Sequence, residues 1–82
     1  MHYFVYILYS ESLNRYYIGH THHLDERLRQ HNAGQTPSTK AGRPWRVVYQ
    51  ELHSDKSSAY QRELAIKGKK SRKYIEELIA GG

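Results

Sequence analysis

Arg27 and His31 stand one helical turn apart in the stretch LDERLRQHN, on the face that also carries Leu24 and Leu28. At about 100° per residue the two leucines centre an apolar stripe, so a guanidinium and an imidazole turn toward the side that should feed the core. Each has a structural account: a long cation can snorkel from the edge of a stripe, and a histidine near a helix C-terminus suits the macrodipole. Farther along, Glu63 falls between two apolar edges of a second amphipathic segment, Ala59 with Ile66 and Tyr60 with Leu64. A carboxylate there must be paired, hold a metal or take up a proton. An arginine–glutamate pair inside a small core stabilises little once desolvation is counted. Two helices that each turn an ionisable group inward therefore point to a shared cleft, whose chemistry suits phosphate.

The chain that must build this cleft has 82 residues, enough for one domain spanning 1–82. A domain of that size buries only about 60% of the surface its unfolded chain exposes, so inward-facing polar groups are costly. With no cysteine, neither a disulfide framework nor a thiolate metal site can compensate. No apolar run reaches the length of a membrane span, and the opening MHYFVYILYS lacks the form of a secretory leader, so a cytoplasmic setting is expected. The formal net charge of +5 fits an anionic partner such as nucleic acid, or a merely solubilising surface. Tyrosine is over-represented, at eight of ten aromatic residues, and its hydroxyl can reach water, phosphate or a metal-bound ligand.

HYFVYILYS reads as a strand buried on both faces, ESLN as a turn and RYYIG as a second strand, giving a β-hairpin over residues 2–19. Thr21 is expected to cap a helix running to about Asn32, with Gly34 as its stop and Asp25, Arg29 and Asn32 on a solvated face. QTPSTKAGRP reads as a polar loop. WRVVYQELH follows as a third strand, with Trp45, Val47 and Tyr49 alternating against Arg46, Val48 and Gln50. Asp55 can cap a second helix broken near Gly68, and Ser71 a third with a stripe of Tyr74, Ile75, Leu78 and Ile79. The order β-β-α-β-α-α implies an α+β fold, a small three-stranded antiparallel sheet flanked by helices.

VYIL on the first strand, YYIG on the second, then Arg27 and Glu63, together resemble the GIY-YIG nuclease superfamily, most closely its small stand-alone bacterial proteins. The likeness covers nearly the whole chain. It implies Tyr6 and Tyr17 as the two motif tyrosines, with Arg27, His31 and Glu63 as their partners in catalysis and Glu63 as the metal ligand. The chain departs from the pattern in the first motif, which reads Phe4-Val5-Tyr6 without its glycine, and in having no tail asparagine.

The resemblance implies a DNA endonuclease dependent on one Mg2+ or Mn2+. Only eight residues are acidic and no acidic cluster occurs, which argues against a two-metal site. A lone Glu63 would suit an ion that keeps most of its waters. Tyr6 as base near neutrality requires its pKa to fall by about 2 from 10, which a metal and Arg27 would promote. Tyr17 in that role, or His31, whose ordinary pKa is about 6.5, are the alternatives. Arg27 would grip phosphate oxygens.

Beyond the cleft, His20 is a candidate phosphate contact. Lys40, Arg43 and Arg46 form a basic loop, and Lys67, Lys69 and Lys70 a cationic helix junction that could clamp a DNA backbone. His20, His22 and His23 are too close in sequence to converge on zinc readily. Branched, nicked or single-stranded DNA is the expected substrate, in a setting such as DNA repair, with a protein partner able to direct the chain to it. A binding module of the same fold with lost or weak cleavage is the main alternative, and a basic RNA-associated protein a further one.

Overall fold

In YFVYILYS aromatic and branched residues leave no polar face, and this segment, β1 (Tyr3–Ser10), takes the centre of the sheet. The computed structural model describes residues 2–81. β2 (Arg15–Thr21) and β3 (Trp45–His53) flank β1, both antiparallel to it, in the order β2-β1-β3. β2 runs two residues past Gly19, so the hairpin is longer than the sequence suggested. Its turn closes on Asn14 in the left-handed region, φ 52°, a conformation asparagine tolerates better than most. The Tyr9 hydroxyl donates to Asn14 Oδ1 at 2.8 Å.

Three helices cover the sheet: α1 (Leu24–Asn32) on one face, α2 (Lys56–Gly68) and α3 (Arg72–Gly81) on the other. The first core joins Tyr6, Leu8 and Trp45 to Tyr17, Leu24, Leu28 and Val47. The second joins Val5, Ile7, Ile18, Ala59 and Ile66 to Tyr74, Ile75 and Leu78, so three of the four residues of the expected α3 stripe pack against it. A network reinforces this second layer. Arg62 of α2 donates to Glu51 of β3 at 2.9 Å and to the Tyr74 hydroxyl of α3 at 3.3 Å.

Several local expectations change. The α1 helix begins at Leu24 behind His23, which makes no side-chain cap, and Thr21 Oγ1 instead accepts from His23 N at 3.2 Å within the approach. Asn32 is not solvated: its side chain accepts from Trp45 N at 2.6 Å and donates to Trp45 O at 3.0 Å, tying the end of α1 to the start of β3. The polar loop contains a 3-10 turn, Pro37–Gly42. Alternation along β3 breaks because Ile7 pairs with Tyr49 and Leu8 with Val47. Val48 is the extra residue of a β-bulge, and it shifts Tyr49 onto the same core as Val48. The Asp55 cap is as expected, accepting from Ser58 N at 2.8 Å, and Ser71 Oγ accepts from Tyr74 N at 3.1 Å. Among the described residues no helix is long and apolar enough to cross a membrane.

Candidate active site at the edge strand

Tyr6 sits opposite Gly19 in the β1–β2 register. The absent side chain matters: a Cβ on Gly19 would stand 2.5 Å from the Tyr6 hydroxyl oxygen and 2.7 Å from Cζ. The phenol therefore crosses directly over the backbone of the edge strand, and glycine is what admits it. Tyr17, two residues earlier on the same face of β2, sets its ring 6.5 Å from that of Tyr6 and 4.9 Å from that of His31. Trp45 backs Tyr17 edge-on at 6.3 Å.

His31 is buried at 1% exposure, and its hydrogen bonds define which nitrogen carries the proton. Thr39 Oγ1 donates to Thr36 O at 3.2 Å, so its oxygen accepts from His31 Nδ1–H at 2.7 Å. That leaves the Nε2 lone pair facing the Tyr6 hydroxyl at 3.3 Å, with the phenol as donor. Burial, then the Arg27 charge, lowers the imidazole's pKa below its usual value, keeping His31 a neutral acceptor. Tyr6 is shifted the opposite way from the sequence-based expectation. Burial and then Tyr17 drive its pKa well above the ordinary 10, Arg27 opposes them, and Glu63 adds to the rise. Tyr6 thus rests as a protonated phenol within electrostatic reach of both Arg27 and Glu63.

Arg27 is half-buried and, among the described residues, its guanidinium makes no side-chain hydrogen bond or ion pair. It lines a recess of about 250 Å3 with Tyr3, His20, Thr21, His22 and Lys56, leaving its planar donor set available to an anion. Glu63 approaches β2 from the other face of the sheet. Its side chain is 10% exposed, with Oε1 on His20 Nδ1 at 2.6 Å and Oε2 on Lys67 Nζ at 2.5 Å. Both oxygens are thus satisfied, as a buried carboxylate demands.

Glu63 is the carboxylate of this edge whose chemistry suits a hard divalent cation. Among the described residues no three His, Cys, Asp or Glu side chains cluster, which does not suit the multi-donor cage of zinc. A lone carboxylate is, in contrast, a donor of the kind magnesium takes when it keeps most of its waters. The Lys67 ammonium already stands as a cation on Glu63 Oε2, and its side chain is 47% exposed, free to withdraw.

The structure therefore brings Tyr6, Tyr17, Arg27, His31, Glu63 and His20 to one edge of the sheet. Of the other cations, Lys67 stays at this edge on Glu63, and the rest sit elsewhere. Arg46 stacks over Tyr9 at 5.4 Å beside the hairpin turn, Lys69 lies over Tyr74 at 5.4 Å, and Arg43 donates to Lys40 O at 2.8 Å. Lys67 belongs to Glu63, and Lys70 is exposed at the α2–α3 junction with φ 48°. Phe4, in place of the first-motif glycine, lines a recess with His22, His23 and Leu24 at the start of α1. Sequence reasoning missed Thr39, which lies in a loop without periodicity. The Lys67 partnership was legible as an i, i+4 pair with Glu63.

A family model described as the GIY-YIG catalytic domain matches residues 2–75. A UPF0213 protein of Staphylococcus haemolyticus is 43% identical over 65 residues, covering 78% of each chain. One of Bacillus cereus is 38% identical over 68 residues, covering 82% of this chain and 70% of the relative. The solution NMR structure of a UPF0213 protein from Bacillus halodurans superposes with a TM-score of 0.60 at 31% identity, over 98% of this chain and 84% of that one.

Proposed function

The chain belongs to the GIY-YIG catalytic-domain family, and on that premise we propose that it is an endonuclease hydrolysing DNA phosphodiester bonds at the edge of β2. The family supports a nuclease-type function; the residue roles below are our reading. The observation that carries it is the ordered chain from the Tyr6 hydroxyl through His31 to Thr39, beside an Arg27 that is unpaired among the described residues.

In this reading Tyr6 does not need to be a phenolate at rest. Tyr6 accepts a proton from the attacking water while passing its own to His31 Nε2, so the phenol serves as relay and the neutral imidazole as final acceptor. Water oxygen bonds to phosphorus, the P–O3′ bond breaks and the departing O3′ takes a proton from solvent, while His31 becomes imidazolium until it returns its own proton to solvent. Thr39 holds His31 in the required tautomer. Arg27 binds the non-bridging oxygens, and Tyr17 orients water or phosphate. Glu63 would hold one Mg2+ or Mn2+ where Lys67 now sits, and the bound ion would supply positive charge to the phosphate and the departing oxygen.

Nicked, branched or single-stranded DNA is the substrate class we favour for this site. A cytoplasmic role in DNA processing such as repair, with a partner that directs the chain to its target, accords with that. The close pairing of Glu63 with both His20 and Lys67 favours one second reading, a DNA-binding module with weak cleavage.

Nicking of plasmid and oligonucleotide substrates in Mg2+, Mn2+ or EDTA separates the two. The endonuclease reading expects metal-dependent nicking that Tyr6→Phe and Glu63→Gln each abolish while DNA binding persists. Nicking at the parent rate by either variant, or in EDTA, refutes the assignment; binding without nicking by the parent supports the module.

A further inference from the structure

Tyr60 and Leu64 form an apolar edge on α2 that does not enter the core, and each is 48% exposed. The inward positions of the helix are Ala59, Glu63 and Ile66 instead. Leaving a large aromatic side chain half in water forgoes hydrophobic stabilisation that a small domain needs. Tyr60 is nevertheless not isolated. Its ring lies 5.5 Å from that of His20 at 58°, and His20 is itself anchored on Glu63.

Beside this aromatic pair opens a mostly apolar recess of about 610 Å3 lined by His20, Lys56, Ser57 and Tyr60. His20 and Lys56 also line the smaller recess that holds Arg27 and His22, so the two adjoin. Among the described residues no carboxylate lines either one. A flat apolar face next to a cationic hollow matches a nucleotide, with its base against the ring and its phosphate toward the cations.

We propose that Tyr60 stacks one unpaired nucleobase of the substrate strand, next to the phosphate held at Arg27, while Lys56 contacts the adjoining phosphate. The placement deepens the nuclease reading and rests on it, since Tyr60 lies one helical turn before Glu63. A base inside a duplex has both faces covered by its neighbours, so such a platform selects a single strand or an extruded nucleotide. It is tolerant of sequence, because every base presents a π-face.

The test measures binding, not cleavage, in EDTA, so it remains informative even if the chain does not cut DNA. Fluorescence anisotropy would compare a labelled single-stranded oligonucleotide with the duplex of the same sequence, for the parent, Tyr60→Ala, Tyr60→Trp and Lys56→Ala. Tyr60→Ala should weaken single-strand binding about 5- to 150-fold, with duplex binding unchanged. Tyr60→Trp should bind like the parent and show indole quenching on adding single strand, beyond any change at Trp45. Lys56→Ala should flatten the salt dependence of single-strand binding by about one phosphate contact. Tyr60 is exposed, so these variants should retain the parent's circular dichroism.

Parent-like single-strand binding by Tyr60→Ala overturns the proposal. So does an equal loss for single strand and duplex, or no measurable single-strand binding by the parent. If Tyr60→Ala leaves DNA binding intact but disrupts a complex with a protein, the edge is a protein-docking surface and the platform is wrong.

Discussion

Replacing Gly19 with alanine tests the crossing of Tyr6 over the edge strand. The new Cβ would meet the Tyr6 hydroxyl oxygen at 2.5 Å, Cζ at 2.7 Å and Cε2 at 3.2 Å, where carbon contacts settle at about 3.5–4.0 Å. The ring cannot simply retreat, because Tyr6 is only 2% exposed and packs with Leu8 and Trp45. Overpacking of this kind costs about 1–3 kcal/mol. Alanine returns about 0.4–1 kcal/mol by restricting the unfolded chain where the backbone tolerates it, so the net loss should be about 1–2 kcal/mol. At about 2 cal/mol/K of unfolding entropy per residue, that lowers Tm by about 6–12 °C for a chain of 82 residues. Thermal unfolding by circular dichroism reads the shift. Deleting the hydroxyl removes the shortest contact, so the same alanine should cost less in a Tyr6→Phe background, a coupling that a double-mutant cycle isolates. Equal cost in both backgrounds, or no cost in the parent, would refute the crossing geometry.

Two other perturbations follow from the ion pairs. Lys67→Met keeps the aliphatic stem but removes the ammonium from Glu63; a pair whose lysine is half in water is worth about 0.5–1 kcal/mol, so Mn2+ binding followed by electron paramagnetic resonance should tighten about 2- to 5-fold. Unchanged affinity, or tightening that survives Glu63→Gln, would show that Lys67 does not compete at that carboxylate. Burial pushes the Glu51 carboxyl up, but hydrogen bonds from Arg62, Tyr49 and His53 outweigh it and hold its pKa at about 2 rather than 4.5. A carboxyl depressed on folding adds stability above its unfolded pKa and loses it as pH falls through the folded one. Glu51→Gln should therefore flatten the decline in chemical-denaturation stability between about pH 4.5 and 2, and an unaltered slope there would contradict the pairing.

The elements were legible where side-chain pattern and burial agree. An unbroken apolar run made β1 central, and Asp55 and Ser71 announced their helices. Failures came where one local signal had two outcomes. Val47 and Val48 suit either face of a strand, so nothing in VV marked the bulge. Tyr60 and Leu64 have the spacing of a buried edge yet remain exposed, because Ala59, Glu63 and Ile66 already fill the contact with the sheet. Of the candidate site, the convergence of Tyr6, Tyr17, Arg27, His31 and Glu63 followed from helix periodicity and family resemblance. The proton's direction did not, since it depends on a threonine eight residues from His31 and on burial that raises Tyr6 instead of lowering it. The contact of His20 with Glu63 spans 43 positions along the chain, beyond any local pattern.

The 3-10 turn that carries Lys40 is also the segment whose Thr39 fixes His31. In the proposed reaction, a grip by Lys40 and proton acceptance by His31 would therefore be mechanically linked. If a DNA backbone pulled on that turn, the pull would reach the imidazole through a single 2.7 Å hydrogen bond, so a poorly seated strand would meet a misaligned acceptor as well as a loose grip.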